Sequence, residues 1–138
     1  MEYIISYELD PEISDTAKLI EKIGEHNKEK AGIEKSQKFA FFIKDKSGQI
    51  LGGCLGYIWL ASIHIDHLWV HELLRNKDYG TQLMQKVETL GKEKDCSFVT
   101  VSTLSCQALD FYKKLGYKVE FERGYQKNQI SYYLRKDL

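Results

Sequence analysis

Residues 65–81 read IDHLWVHELLRNKDYGT, and this stretch decides the fold prediction. A β-rich run is followed by a tight loop, and at Tyr79 an apolar pattern of helical spacing begins. In such a junction the first amides of the helix point at the loop, where the helix dipole favours an anion. Arg75 and Lys77 add positive charge, and Gly80 leaves room for close approach. The stretch therefore predicts a phosphate or pyrophosphate site.

A second informative stretch lies about thirty residues further on, where residues 108–117 read ALDFYKKLGY. Together the two stretches resemble the GNAT (GCN5-related N-acetyltransferase) family. Arg75 and Gly80 match the ends of its acetyl-CoA loop, Arg/Gln-x-x-Gly-x-Gly/Ala, and residues 108–117 match its A-x-x-F-Y-x-K-x-G-F/Y signature. The family usually has glycine at position 78 and often at 76. Here these are Asp78 and Asn76, which tolerate left-handed backbone and so preserve the loop shape.

The resemblance and the hydrophobic pattern predict one α/β domain over residues 1–138, with the element order β-α-β-β-β-α-β-α-β-β. The sheet is expected to be of the GNAT type, mixed but mostly antiparallel, with helices flanking it. We predict strands at 3–7, 39–44, 50–60, 62–70, 98–101, 117–122 and 130–134, and helices at 11–30, 79–94 and 107–115.

Individual residues refine these boundaries. Asp10 and Pro11 indicate an N-cap followed by the first helical residue, and Gly116 indicates a helix stop. Glycines within the second strand of the central hairpin indicate a bulge or a close backbone approach; they are Gly52, Gly53 and Gly56.

The resemblance implies acetyl-CoA as co-substrate, held by one strand, the loop, the helix start and a lysine of the second motif. These residues are Leu68, Trp69, Val70, Arg75, Asn76, Lys77, Asp78, Tyr79, Gly80, Thr81 and Lys114. The carboxylate of Asp78 lies near the expected pyrophosphate, where one like-charge pair costs roughly 1–3 kcal/mol.

The reaction implied is direct transfer of an acetyl group to a primary amine of a small molecule or peptide. Tyr112 matches the family tyrosine that protonates the leaving sulfur, although the pattern alone favours a core aromatic with its hydroxyl at the surface. Glu72 and Asp66 are the candidate bases, with ordered water as a further option. A catalytically weakened CoA-binding or regulatory module is the alternative function, and a binder of another phosphate ligand is a third.

Several histidines lie close to Asp66, but strict strand alternation puts His64 and Asp66 on one face and His67 and His71 on the other. They converge only if a bulge intervenes, so we predict no metal site. The three cysteines have no CxxC spacing and are predicted to be free thiols.

Composition excludes some partners. The 138 residues carry 20 basic and 20 acidic side chains, with a pI near 6.9, which favours neither nucleic acid nor an anionic membrane. No signal-peptide pattern begins the chain, so a cytoplasmic location is expected. The aromatic C-terminal hairpin, with Tyr125, Tyr132 and Tyr133, suggests a homodimer.

Overall fold

The computed structural model describes residues 2–138, and their α-carbons form two compact units divided between Lys35 and Ser36. That the whole chain is a single domain stays a prediction.

In the first unit, described from residue 2, the chain forms the helix α1 (Ile13–Ala31), which ends at Gly32 in the left-handed conformation. Two expectations for this unit are wrong. Asp10 has a φ of 51°, outside the extended region that an N-cap needs, and the helix begins two residues after Pro11. Residues 3–7 form no strand, because a strand needs a hydrogen-bonded neighbour and residues 2–35 contain no other strand.

The second unit contains a six-stranded sheet in the order β1-β2-β3-β4-β6-β5. The strands are β1 (Gln37–Lys44), β2 (Ile50–Trp59), β3 (Ser62–Val70), β4 (Phe98–Leu104), β5 (Lys118–Gly124) and β6 (Ile130–Asp137). All neighbouring strands are antiparallel except β3 and β4, which are parallel. This is the mixed, mostly antiparallel sheet that the sequence predicts.

Two helices lie in the connections into and out of β4. The longer one, α2 (Tyr79–Glu93), links β3 to β4, and the short α3 (Leu109–Lys114) links β4 to β5. A 3-10 turn at Glu72–Leu74, not predicted, precedes α2. Gly116 follows α3 with a φ of 95°, as expected of the residue that stops a helix.

The core of this unit lies between the sheet and the two helices. Ile63 and Ile65 of β3 and Val99 of β4 are fully buried and pack with Met84 and Val87 of α2. Since these side chains repeat every second residue in the strands and every third or fourth in the helix, the apolar pattern directly sets the packing. It also fixes the position of α2 against the N-terminal half of β3.

The glycines of β2 allow the backbones of neighbouring strands to approach closely, as predicted. A Cβ at Gly52 would lie 2.8 Å from the carbonyl oxygen of Trp69, and one at Gly53 would lie 2.5 Å from that of Phe41. At Gly56 it would collide with the carbonyl of His64 and the ring of Phe39. The neighbouring backbones therefore sit where a side chain would otherwise be.

The three cysteines are free thiols, as expected; Cys54 and Cys96 are buried and Cys106 is exposed. Within residues 2–138, no helix is long and apolar enough to cross a membrane.

Candidate active site

The main cleft opens where the parallel strands separate. β3 and β4 pair from Ser62 with Phe98 to Ile65 with Val101, and beyond this point the rest of β3 has no partner in β4. A cleft of about 1090 Å³ occupies the gap and extends along the loop before α2 and along α3. Unpaired strand edges and a helix start thus border one cavity large enough for a nucleotide-sized ligand.

The separation coincides with a bulge in β3 at Asp66. On the β2 side, Leu55 pairs with His67 and Gly56 pairs with Ile65, so Asp66 is the extra residue. A bulge breaks the strict alternation of side chains and re-aims the residues after it. The face assignment based on strict alternation therefore holds only up to Ile65.

The loop before α2 has the geometry of an anion site. Asn76 and Asp78 have φ values of 60° and 65°, which confirms that these residues take the left-handed conformation expected of them. The first α-helical bond after the loop runs from the Gln82 amide to the Asp78 carbonyl, so the amides of residues 79–81 are not used by the helix. Arg75 lines the same end of the cleft, and its Nε donates to the Val70 carbonyl at 3.0 Å.

Gly80 also has a packing role that the sequence did not indicate. Its missing side chain would lie 3.2–3.3 Å from the ring of Phe111, so the space that the glycine leaves is taken by α3. The residue lets α2 and α3 pack closely, and its role toward a phosphate stays a prediction.

Tyr112 of α3 lines the cleft although its side chain is only 5% exposed. Its ring packs edge-on against Phe111 and Tyr117, with centroids 5.1 and 5.9 Å away. Burial, and to a smaller extent the neighbouring Cys54, raises the pKa of Tyr112 to about 12. The phenol is therefore protonated at neutral pH, as a proton donor must be.

The loop between β4 and α3 is held by two glutamines that the sequence reasoning did not single out. Gln107 Oε1 accepts from the Leu104 amide at 2.7 Å, which closes the loop on itself. Gln129 Oε1, from the turn between β5 and β6, accepts from Ser105 Oγ at 3.0 Å and from the Cys106 amide at 3.1 Å. Because Gln129 is more than twenty residues away in sequence, no local pattern reveals this contact.

Most of the residues singled out from sequence line this cleft. Those that do are Asp66, Leu68, Trp69, Val70, Arg75, Asn76, Asp78, Tyr79, Gly80, Thr81, Tyr112 and Lys114. Glu72 and Lys77 do not line it: Glu72 lies on the exposed 3-10 turn and Lys77 is exposed in the loop. Of the two candidate bases, only Asp66 is therefore at the cavity.

Asp66 also contacts a half-buried histidine. His64 Nε2 lies 3.7 Å from Asp66 Oδ1, and His64 Nδ1 lies 2.7 Å from Thr100 Oγ1. Burial lowers the pKa of His64, and the Asp66 carboxylate opposes this in part. In the part of the chain that is described, no three histidine, cysteine or acidic side chains are placed to hold a metal ion.

Comparison with known proteins adds independent information. The model of the Acetyltransferase (GNAT) family matches residues 6–117. A blasticidin-S acetyltransferase from Streptomyces morookaense is 29% identical over 82 residues, and an uncharacterized N-acetyltransferase from Chlorobaculum tepidum is 35% identical over 91. These alignments cover 59% and 65% of this chain, and 60% and 56% of the relatives, so the chain spans less than two thirds of their length.

Solved structures show the same fold. An acetyltransferase from Bacillus cereus superimposes with a TM-score of 0.78 at 27% identity, over 96% of this chain and 98% of the other. A GNAT acetyltransferase from Elizabethkingia anophelis, with acetyl-CoA bound, has a TM-score of 0.62 at 21% identity, over 72% and 75% of the two chains.

Proposed function

Because the chain belongs to the GNAT acetyltransferase family, we propose that it transfers an acetyl group from acetyl-CoA to a primary amine of a small molecule or peptide. The proposal rests on one cleft that brings together three kinds of functional group. Unused helix amides lie at one end, the phenol of Tyr112 lines a second wall, and the Asp66 carboxylate lies at the strand bulge.

The anion site suits the pyrophosphate of CoA. The amides of residues 79–81 donate hydrogen bonds, the α2 dipole favours negative charge, and Arg75 and Lys114 add positive charge. Lys77, exposed in the same loop, contributes only at longer range. In support, a GNAT protein of the same fold has acetyl-CoA bound.

Three side-chain and backbone roles follow for the reaction. The acceptor arrives as an ammonium ion and must lose a proton before its nitrogen attacks the thioester carbonyl; Asp66 takes that proton, directly or through water. Amides of β3 beyond Ile65, which lack a β4 partner, stabilise the oxyanion. When the carbon–sulfur bond breaks, Tyr112 donates its proton to the departing thiolate, and the phenolate takes up the second proton of the attacking nitrogen, giving an acetylated amine and CoA. Glu72 is the less favoured base because it lies outside the cleft.

The acceptor class is supported by one relative whose name gives a substrate, the blasticidin-S acetyltransferase. A small amine is therefore the favoured acceptor, and a peptide amine is the second choice. We also propose a cytoplasmic enzyme without nucleic-acid or membrane partners, and a homodimer formed through the β5–β6 hairpin. Light scattering of the eluted protein would contradict the dimer if its mass were 16 kDa, that of one chain.

A catalytically weakened CoA-binding or regulatory module is the second candidate, and one observation favours it. Asp78 places a carboxylate at the cleft, beside the amides that would hold the pyrophosphate. The two functions differ in whether any amine is acetylated.

The test combines acetyl-CoA with a panel of primary amines and detects the acetylated amine by mass spectrometry and free CoA by thiol titration. Tyr112→Phe should lower kcat by about a hundredfold or more, as expected for loss of a general acid. Tyr117→Phe is the matched control, since Tyr117 is equally buried but its hydroxyl donates to Glu88 at 3.2 Å. A kcat for Tyr112→Phe within twofold of the unsubstituted protein would refute the acid role. Acetyl-CoA binding without acetylation of any amine would favour the module.

A further inference from the structure

A second cleft, of about 530 Å³, lies over β1 and β2 and reaches the bulge of β3. Its volume is in the range of small-molecule sites. Residues that line it include Ser36, Lys38, Leu55, Tyr57 and Asp66. Asp66 also lines the main cleft, so the two cavities adjoin at this side chain. A molecule in the second cleft can therefore present one of its groups to the first.

Opposite charges lie at the two sides of this second cleft. Lys38 pairs with Tyr57 across β1 and β2, and Tyr57 pairs with His64 across β2 and β3, next to the bulge that carries Asp66. From β1 to β3 is two strand spacings, about 10 Å. The surface between is apolar and aromatic, formed by Leu55 and Tyr57 of β2. The cleft is thus complementary to a molecule with a cation at one end and an anion at the other.

The carboxylate of Asp66 is available to a ligand cation. Its neighbour His64, at 3.7 Å, is half-buried and bonded through Nδ1 to Thr100, and burial lowers the pKa of the ring. A neutral imidazole at this distance does not neutralise the carboxylate. The negative charge at the junction of the two clefts therefore has no fixed cation beside it among these contacts.

We propose that this second cleft is the acceptor site and that it takes a dipolar small molecule, with its ammonium group at Asp66 and an anionic group at Lys38. The inference rests on the proposed acetyltransferase function and names the acceptor class. An apolar chain or ring of the acceptor lies over Leu55 and Tyr57, and Ser36 adds a hydroxyl near the anionic end. The amine bound at Asp66 then faces the cavity assigned to acetyl-CoA.

Three amines of equal chain length test the proposal: octanoate with a terminal amine, octylamine, and octane with an amine at each end. The amino acid should have a kcat/KM at least tenfold above that of octylamine. Lys38→Glu should reverse the order, so that the diamine becomes the better acceptor. Lys44→Glu is the control, because Lys44 is an exposed lysine of the same strand that lies over the Phe42 ring and does not line the cleft. It should leave the order unchanged.

Equal kcat/KM for the amino acid and octylamine would overturn the proposal, as would equal effects of Lys38→Glu and Lys44→Glu. Failure of the enzyme function is a separate result: no amine is acetylated although acetyl-CoA binds. In that event calorimetric titration of the amino acid into the protein still decides the site. Binding that Lys38→Glu weakens at least fivefold supports it, and no binding, or binding unaffected by Lys38→Glu, overturns it.

Discussion

Replacing Asp78 by asparagine isolates the one charge with which the proposed acetyl-CoA loop departs from its family pattern. The residue has a φ of 65° and makes no side-chain cap to α2. Asparagine accepts left-handed backbone as readily as aspartate does, so the substitution removes the charge and keeps the loop conformation. The difference in CoA affinity then measures electrostatics alone.

The size of the effect follows from distance and exposure. Asp78 is exposed, so the effective dielectric constant is close to that of water, roughly 40–80. For one phosphate charge at about 6 Å, this gives roughly 0.7–1.4 kcal/mol of repulsion. Asp78→Asn should therefore bind CoA about 3- to 10-fold more tightly at low salt. At about 1 M salt, where charges are screened beyond roughly 3 Å, the gain should nearly disappear.

The assay is calorimetric titration of CoA into the unsubstituted protein, Asp78→Asn and Asp95→Asn. Asp95 is the matched control: it is exposed, has a φ of 58°, and lies in the turn between α2 and β4, away from the cleft. Both variants change the net charge equally, so only a local effect separates them. Equal dissociation constants for the two variants would refute the reasoning and show that the Asp78 carboxylate does not act on the bound phosphates.

Three further predictions concern titration and packing. Tyr112 has a pKa of about 12 against an ordinary 10, so the phenol of the unfolded chain ionises first and the free energy of unfolding falls as pH rises from about 10 to 12. In urea unfolding, this fall should be smaller for Tyr112→Phe. The same fall with pH in both proteins would contradict the prediction. The pKa of His64 lies below its ordinary 6.5, so the contribution of His64 to the free energy of unfolding is complete above about pH 6.5 and is lost as pH falls through the pKa of the folded state. In urea unfolding, His64→Gln should lose less stability in acid than the unsubstituted protein does. The same dependence of stability on pH for both proteins would disprove this. Gly56→Ala should cost more than about 2 kcal/mol in urea unfolding, whereas Gly124→Ala, with open space around it, should stay within about 0.5 kcal/mol; equal costs would be inconsistent with the clash.

The sequence was sufficient to predict helix ends and turn conformations, which depend on residues close together in the chain. The start of α2 at Tyr79, the stop at Gly116 and the left-handed loop residues Asn76 and Asp78 all follow from the preferences of single residues. The run at 3–7 shows the limit of this reasoning. Strand propensity is satisfied only when a neighbour pairs, and the pairing partner is not a property of the run itself.

The candidate site was predictable where a motif lists its residues and not where the fold brings distant ones together. Gly56 indicated an irregularity in β2, but the extra residue that makes the bulge, Asp66, belongs to the next strand. The contact of Gln129 with the Ser105 loop likewise depends on the β4–β6 pairing. Long-range register of this kind is set by the whole sheet, so no window of sequence contains it.

The absence of glycine at positions 76 and 78 alters the anion site of the loop less than the sequence suggests. Loss of glycine at 76 and 78 would disable an anion site if the backbone could no longer turn, yet both residues hold left-handed φ values and the amides of residues 79–81 stay free of helix bonds. What remains is one exposed carboxylate, Asp78, whose repulsion is comparable to one favourable contact from Arg75 or Lys114. Under the proposed function, the Tyr112 hydroxyl and the Asp66 carboxylate at the same cleft supply an acid and a base that a module binding only CoA would not need. The balance of these terms favours an enzyme with weakened cofactor affinity over a protein that has lost catalysis.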